Sequence, residues 1–264
     1  MVGRANLWNH RLFVDYSREI AADGYELMMV TAYYDKLSEV LSYAEKSALP
    51  FPVIHAEKDI GFYLGGDEED RAEALRLFGI NCEAGKAVGA EKLVLHLWSG
   101  RRSDHALAVN LASLDRLYEM AERAGLTLLC ENVPCACHDP ITNLSRVLKA
   151  HPEAKFVYDV RFGAFHEQNE VIVASGALEN GLVAHMHISD YVGPAHDFSS
   201  LRPIPHLGKG IIGLEALLSA IAPRYSGSIT LESPEILEDS VNANAINRDL
   251  DFIRRVFRAA AGKE

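Results

Sequence analysis

The sequence predicts an α/β protein built as a single (β/α)8 TIM barrel over residues 1–264, and three observations carry that prediction. From Gly24 onward short apolar runs alternate with longer segments of helical period, the pattern of strands that feed crossover helices. No internal repeat suggests a solenoid, and no low-complexity linker marks a domain break. The chain has 264 residues, 48% of them hydrophobic, enough for one barrel of about 250 residues. A doubly wound open sheet shares this local pattern and is the rival architecture.

Taken in order, the strands are expected to end near Trp8, Val30, His55, Trp98, Glu131, Asp159, His187 and Glu232. The first is short and begins almost at residue 1. Helices are expected over Leu12 to Asp23, Lys36 to Ser47, Glu68 to Val88, His105 to Ala124, Pro140 to Ala150, Glu167 to Glu179, Leu214 to Ala222 and Ala243 to Ala259. The fourth illustrates the reasoning. Leu107, Leu111, Leu114, Leu117 and Ala121 recur at spacings of three and four and form one apolar stripe. Asp104 can cap its start and Gly125 its end.

Composition narrows the function. The formal net charge is -11, and no Lys/Arg stripe is present, which excludes the clustered cations that phosphate binding needs and so argues against nucleic acid. No apolar run reaches the roughly 18 residues of a membrane span, and the start of the chain lacks the apolar stretch of a signal peptide. A cytoplasmic location is expected, with Cys82, Cys130, Cys135 and Cys137 as reduced thiols. The run Cys135-Ala136-Cys137-His138 lacks the second cysteine pair that a thiolate metal site requires.

The chemistry sits where apolar runs stop. Leu182-Val183-Ala184-His185-Met186-His187-Ile188-Ser189-Asp190 puts Val183, His185 and His187 on one strand face, so His185 lies one layer beneath His187. The same grammar recurs at His55, His96, Glu131, Asp159 and Glu232. Barrel active sites lie at the C-terminal ends of the strands. Glu131, Asp159, His187 and Glu232 would therefore converge above the barrel, and three carboxylates so close demand a cation. One imidazole with hard oxygen donors suits a single divalent ion, Mn²⁺, Mg²⁺ or Co²⁺, with Zn²⁺ also compatible.

The set Glu131-Asn132-x-Pro134, Tyr158-Asp159, His187-Ile188-Ser189-Asp190, His206-Leu207-Gly208-Lys209-Gly210 and Leu231-Glu232 resembles the xylose isomerase-like superfamily of TIM barrels, the sugar phosphate isomerase/epimerase group. The resemblance runs from the second strand to the last helix. It implies that Glu131, Asp159, His187 and Glu232 are metal ligands, and that Glu131 and Glu232 move protons on opposite faces of a small sugar or polyol. A carbonyl and adjacent hydroxyl held by a metal acidify the intervening C–H, so two flanking carboxylates can work through an enediolate.

The family often carries Asp-x-x-His after the sixth strand; here the run is Asp159-Val160-Arg161-Phe162. Arg161 and His166 are candidate substrate contacts in that loop. Arg202 is another, with a forked guanidinium suited to an anionic or hydroxylated end. His96 and Trp98 share a face and can wall a sugar ring, with His55 beside them and Glu57 following. His185 completes the candidates, chiefly as support beneath His187. Three other readings stay open: an inosose-type dehydratase, a barrel that binds a metabolite without turnover, and an apurinic-type endonuclease. The last is disfavoured because Arg202-Pro203-Ile204 stands where a three-zinc cluster needs Asp-x-His. Self-association into a homo-oligomer does not follow from the sequence.

Overall fold

A computed structural model describes residues 1–3, 11–235 and 240–261. Its strands are β1 (Val2–Gly3), β2 (Glu26–Met28), β3 (Val53–His55), β4 (Lys92–Leu95), β5 (Thr127–Glu131), β6 (Lys155–Asp159), β7 (Val183–Ile188) and β8 (Ser228–Glu232). All pair in parallel, each with its sequence neighbour, and β1 pairs with β8. A bridge from Val2 to Tyr25 joins the first strand to the second and brings the sheet round on itself. The result is the (β/α)8 barrel rather than the open sheet. The expected strand end at Trp8 lies outside the described residues.

The helices are α1 (Leu12–Asp15), α2 (Leu37–Ala44), α3 (Ile60–Leu64), α4 (Glu68–Val88), α5 (Leu107–Leu111), α6 (Leu114–Arg123), α7 (Pro140–Ala150), α8 (Val160–Phe165), α9 (Asn169–Ala174), α10 (Leu214–Ile221) and α11 (Ala243–Ala261). The boundaries of α4 and α7 are those the sequence predicts. Asp67 caps α4 through a capping box and Gly89, at φ 73°, ends it in the left-handed region. Asp139 caps α7, with Pro140 in its first turn.

Three expectations need correction. The helix over Leu12 to Asp23 closes after one turn, and the one over Glu167 to Glu179 is confined to Asn169–Ala174. The helix over His105 to Ala124 is two helices that break at Ala112 and Ser113. Its apolar stripe holds: Leu107, Leu114, Leu117 and Ala121 are buried. Asp104 does not cap it. Instead its Oδ2 accepts the amides of Ala136 and Cys137, at 2.8 and 2.6 Å, and ties two mouth loops together.

Two apolar bodies hold the fold. The larger lies between strands and helices. The buried members of the smaller, Val53, Val94, Leu129 and Val157, come from β3 to β6, with Met1 and Ala184 packed against them, and fill one side of the barrel interior. At the mouth, α3 packs against the end of β4. A Cβ on Gly61 would come within 2.2 Å of the His96 carbonyl oxygen, so only glycine permits this approach.

Candidate functional site

Strand register brings the acidic ends together. Asp159 stands opposite His187 across β6 and β7, helped by a register shift at Phe156/Val157. Ligand-capable atoms of Glu131, Asp159 and His187 all lie within 4.8 Å of one another. Glu232 joins from β8, its Oε1 3.9 Å from His187 Nδ1. All four residues are buried.

The two oxygens of Asp159 have different fates. Oδ1 caps α8, accepting the amides of Arg161 at 2.7 Å and Phe162 at 3.2 Å. Oδ2 is buried with no hydrogen-bond partner. An orphaned buried carboxylate oxygen is costly unless a cation meets it. Burial raises the Asp159 pKa to about 7; Arg161 opposes that rise, while Glu232 and Glu131 add to it. Below, the Asn132 side chain braces the end of β6, donating to the Asp159 carbonyl at 3.0 Å and accepting its amide at 2.6 Å.

Glu131 is surrounded by imidazoles. His187 Nδ1 is 2.9 Å from Oε1, while His96 and His55 Nε2 are 2.6 and 3.3 Å from Oε2. Burial alone would raise its pKa, but His187 and His96 outweigh this and hold it well below the usual carboxylate range. His96 itself is pushed down to about 4 by burial, against the pull of Glu131. His187 moves the other way: burial lowers its pKa, but Glu26 and Glu131 raise it well above the ordinary value.

Two fixed cations enter this cluster. Arg161 is buried and fully engaged: Nη2 donates to Glu232 Oε2 at 2.9 Å, Nε to Ser189 Oγ at 3.1 Å, and Nη1 to the Leu201 carbonyl at 3.1 Å. It lies 3.6 Å from Asp159 Oδ2. Lys58 is half-buried after β3 and, among the described residues, makes no hydrogen bond or ion pair. Burial lowers its pKa while Glu232 and Glu131 raise it, so its charge is felt by both carboxylates.

The remaining candidates separate. His55, His96 and Arg161 are part of the cluster. Trp98 and His185 are fully buried and their polar atoms are turned to protein partners. Trp98 Nε1 donates to the Val133 carbonyl at 3.0 Å, and His185 sits between Ser228 and Glu26 at 2.8 and 3.0 Å. His166 accepts the Cys135 amide at 2.9 Å and lines an outer cavity of about 640 Å³ with Arg101, His196 and Phe198. Arg202 is exposed in the loop after β7, and its charge bears on Lys58. Glu57 braces its own loop, accepting the Asp59 amide at 3.0 Å.

Loop contacts explain other motif residues. Asp190 Oδ2 accepts the amides of Gly208 and Gly210, both at 2.9 Å, and thereby ties the glycine turn to β7. His206 spans Asp249 at 3.1 Å and Glu235 at 2.7 Å. The cysteines are free, and Cys135 Sγ accepts from Asn143 rather than joining a metal cluster.

Sequence reasoning missed Glu26 and Lys58. Glu26 is buried on β2, its oxygens 3.0 and 3.2 Å from His187 Nε2. The signal was available: a lone acid opening an apolar strand must be paired when the strand is buried on both faces. Among the described residues, three groups have ligand atoms close enough for a metal ion: Glu131–Asp159–His187, His55–His96–Glu131 and Glu26–His185–His187. The first alone includes Asp159, whose Oδ2 makes no hydrogen bond.

No curated protein matches the sequence. Solved structures do. The apo 3-keto-D-glucoside 4-epimerase from E. coli has 20% identity and a TM-score of 0.68, covering 96% of this chain and 98% of that one. The IOLI protein with a bound zinc atom has 17% identity and a TM-score of 0.73, covering 98% and 99%. D-allulose 3-epimerase from Methylomonas sp. in complex with D-allulose has 17% identity and a TM-score of 0.71, covering 96% and 93%. At these identities the likeness is one of fold. The sequence itself matches the family described as xylose isomerase-like TIM barrel over residues 14–256, nearly its whole length, and the chain is a member of that family.

Proposed function

We propose that this protein is a metal-dependent isomerase or epimerase of a small ketose, polyol-derived ketone or hydroxy-keto acid, with residues 1–264 as one barrel domain. The observation that carries the reading is the convergence of Glu131, Asp159 and His187, whose ligand atoms lie within 4.8 Å of one another, with an Asp159 Oδ2 that makes no hydrogen bond and lies 3.6 Å from Arg161. That donor set, one imidazole and three carboxylates, fits a divalent ion of the Mn²⁺, Mg²⁺, Co²⁺ or Zn²⁺ kind, held by Glu131, Asp159, His187 and Glu232. The ion, when bound, polarises the substrate carbonyl and acidifies the neighbouring C–H.

The chain's own groups then move the proton. One of Glu131 and Glu232 takes the proton from carbon, and the C–H electron pair passes to the carbonyl, giving an enediolate. In an epimerisation the other glutamate, which must first take up a proton, returns it to the opposite face of the same carbon; in an isomerisation the proton goes to the former carbonyl carbon while the hydroxyl proton moves to the former carbonyl oxygen. Arg161 holds Glu232 by one oxygen and leaves the other toward His187. The Lys58 charge couples to both glutamates, and a cation there would stabilise negative charge developing on substrate oxygen. Sugar substrates are supported by the folds that bind or epimerise them, D-allulose 3-epimerase and 3-keto-D-glucoside 4-epimerase.

The test is solvent deuterium exchange into a panel of ketoses and inososes, with elemental analysis of the same sample. We expect one divalent ion per chain and exchange at carbon next to the carbonyl. Glu232→Gln should lower exchange by about 10²–10⁴-fold with an unchanged thermal melt. A wild-type protein that carries its ion and exchanges none of the panel would overturn the enzymatic reading, and a product lacking one water would assign a dehydratase.

A further inference from the structure

A line of hydrogen bonds runs down the barrel interior from the mouth to its base. His187 Nε2 meets Glu26 Oε1 at 3.0 Å, and Glu26 Oε2 meets His185 Nε2 at 3.0 Å. His185 Nδ1 meets Ser228 Oγ at 2.8 Å, and Ser228 Oγ accepts from Lys92 Nζ at 2.7 Å. Lys92 and Ser228 then line a cavity of about 420 Å³ at the base.

Every proton in this line can be placed. A carboxylate only accepts, so both imidazoles present Nε2–H to Glu26. The contact geometry leaves His185 Nδ1, 2.8 Å from Ser228 Oγ, as the acceptor. The Ser228 hydroxyl supplies that proton; among the described residues it has no other acceptor. Its oxygen is left to accept from the Lys92 ammonium, which can only donate. With Nε2–H committed to Glu26, the His187 ring atom facing Glu131 and Glu232 is Nδ1, at 2.9 and 3.9 Å.

We propose that Glu26, His185, Ser228 and Lys92 are positioning residues that fix the ring orientation of His187 and hold the proton on its Nε2, so that Nδ1, aimed at the carboxylate cluster, is the nitrogen freed when the ring deprotonates. The purpose rests on the metal-dependent reading above; the tautomer assignment does not. Barrel interiors are ordinarily filled with branched apolar side chains, and burying Glu26 and His185 there, above the half-buried Ser228 and Lys92, is costly unless their arrangement is needed. A carboxylate behind a metal-binding imidazole fixes its tautomer and raises its basicity, and loss of such a partner weakens metal binding about 10–100-fold.

The experiment combines Zn²⁺ competition against a chromophoric chelator with two-bond ¹⁵N–¹H correlation of histidine-labelled full-length protein, for wild type, Glu26→Gln, Glu26→Asp and Ser228→Ala. Glu26→Gln keeps the shape and should bind Zn²⁺ about 10–100-fold more weakly. Glu26→Asp should recover part of that loss, and Ser228→Ala, farther along the line, should lose less than about tenfold. In ion-free wild type, His185 should be the Nε2–H tautomer. His185 as the Nδ1–H tautomer would overturn the proposal, as would Glu26→Gln that folds and binds Zn²⁺ within twofold of wild type. If Glu26→Gln does not fold, Ser228→Ala with both unchanged affinity and an unchanged His185 spectrum is the overturning result. If wild type takes up no divalent ion, the metal-dependent reading falls, and the His185 spectrum still decides the tautomer assignment.

Discussion

The two halves of the barrel interior are built from opposite materials. On the β3 to β6 side Val53, Val94, Leu129 and Val157 pack as a small apolar cluster. On the β2, β7 and β8 side the same depth holds Glu26, His185 and Ser228, joined to Lys92. The apolar half is stabilised by burial and dispersion, which are non-directional and tolerate changes of shape. The polar half is directional, and each of its members must be paired or the whole line suffers. Packing suffices to hold strands apart at the right radius. Orienting one imidazole about its own axis requires hydrogen bonds.

Four changes test that contrast. The largest effect is expected at the mouth, where Glu131→Gln should reduce exchange by about 10²–10⁴-fold, measured with the ion content held constant. Next, Leu129→Ala should remove about 2–5 kcal/mol of stability by opening a cavity in the apolar half, read by urea unfolding, while Zn²⁺ affinity stays within a few-fold of wild type. An equal loss of affinity would show that the halves are not separable. Ser228→Ala should cost about 1–3 kcal/mol, because it leaves the Lys92 ammonium and His185 Nδ1 without their shared partner.

The smallest effect is expected outside the barrel, at His206. Hydrogen bonding to Asp249, opposed by burial and reinforced by Glu235, raises its pKa above the ordinary value. A raised folded pKa means that the protonated form is favoured by folding. Its contribution is therefore complete below pH about 6.5 and is lost as pH climbs through the folded value. Wild type should exceed His206→Gln in melting temperature at pH 6, and the gap should close in alkaline buffer. A gap that widens with pH would reverse the assignment.

Much of this was legible before any coordinates. Glu68–Val88 and Pro140–Ala150 carry caps and stops written in their own residues, so local chemistry decides their ends. Glu131, Asp159, His187 and Glu232 end apolar runs, and strand pairing brings those ends together. What could not be read depends on contacts distant in sequence. The break at Ala112 follows a stripe that looks continuous, and buried Asn110 there donates to the carbonyls of Gly61 and Leu97, at 2.9 and 2.5 Å. Helix α8 was missed because Asp159 reads as a strand-end acid, and one side chain serves both as cap and as a member of the cluster. Glu26 opens an apolar strand and so must be paired, but its partner His185 lies 159 positions away, and no local pattern names that partner.

The link from Asp190 to the glycine turn bears on how substrate choice could change. One carboxylate fixes the exit of β7 and, some twenty residues later, the return of the chain at Gly208 and Gly210. A Cβ on Gly210 would lie 2.3 Å from that same carboxylate, so the anchor admits no larger residue. The intervening segment is a handle clamped at both ends, and its exposed residues can be rewritten without disturbing the strands that carry the chemistry, provided the Leu201 carbonyl stays on Arg161.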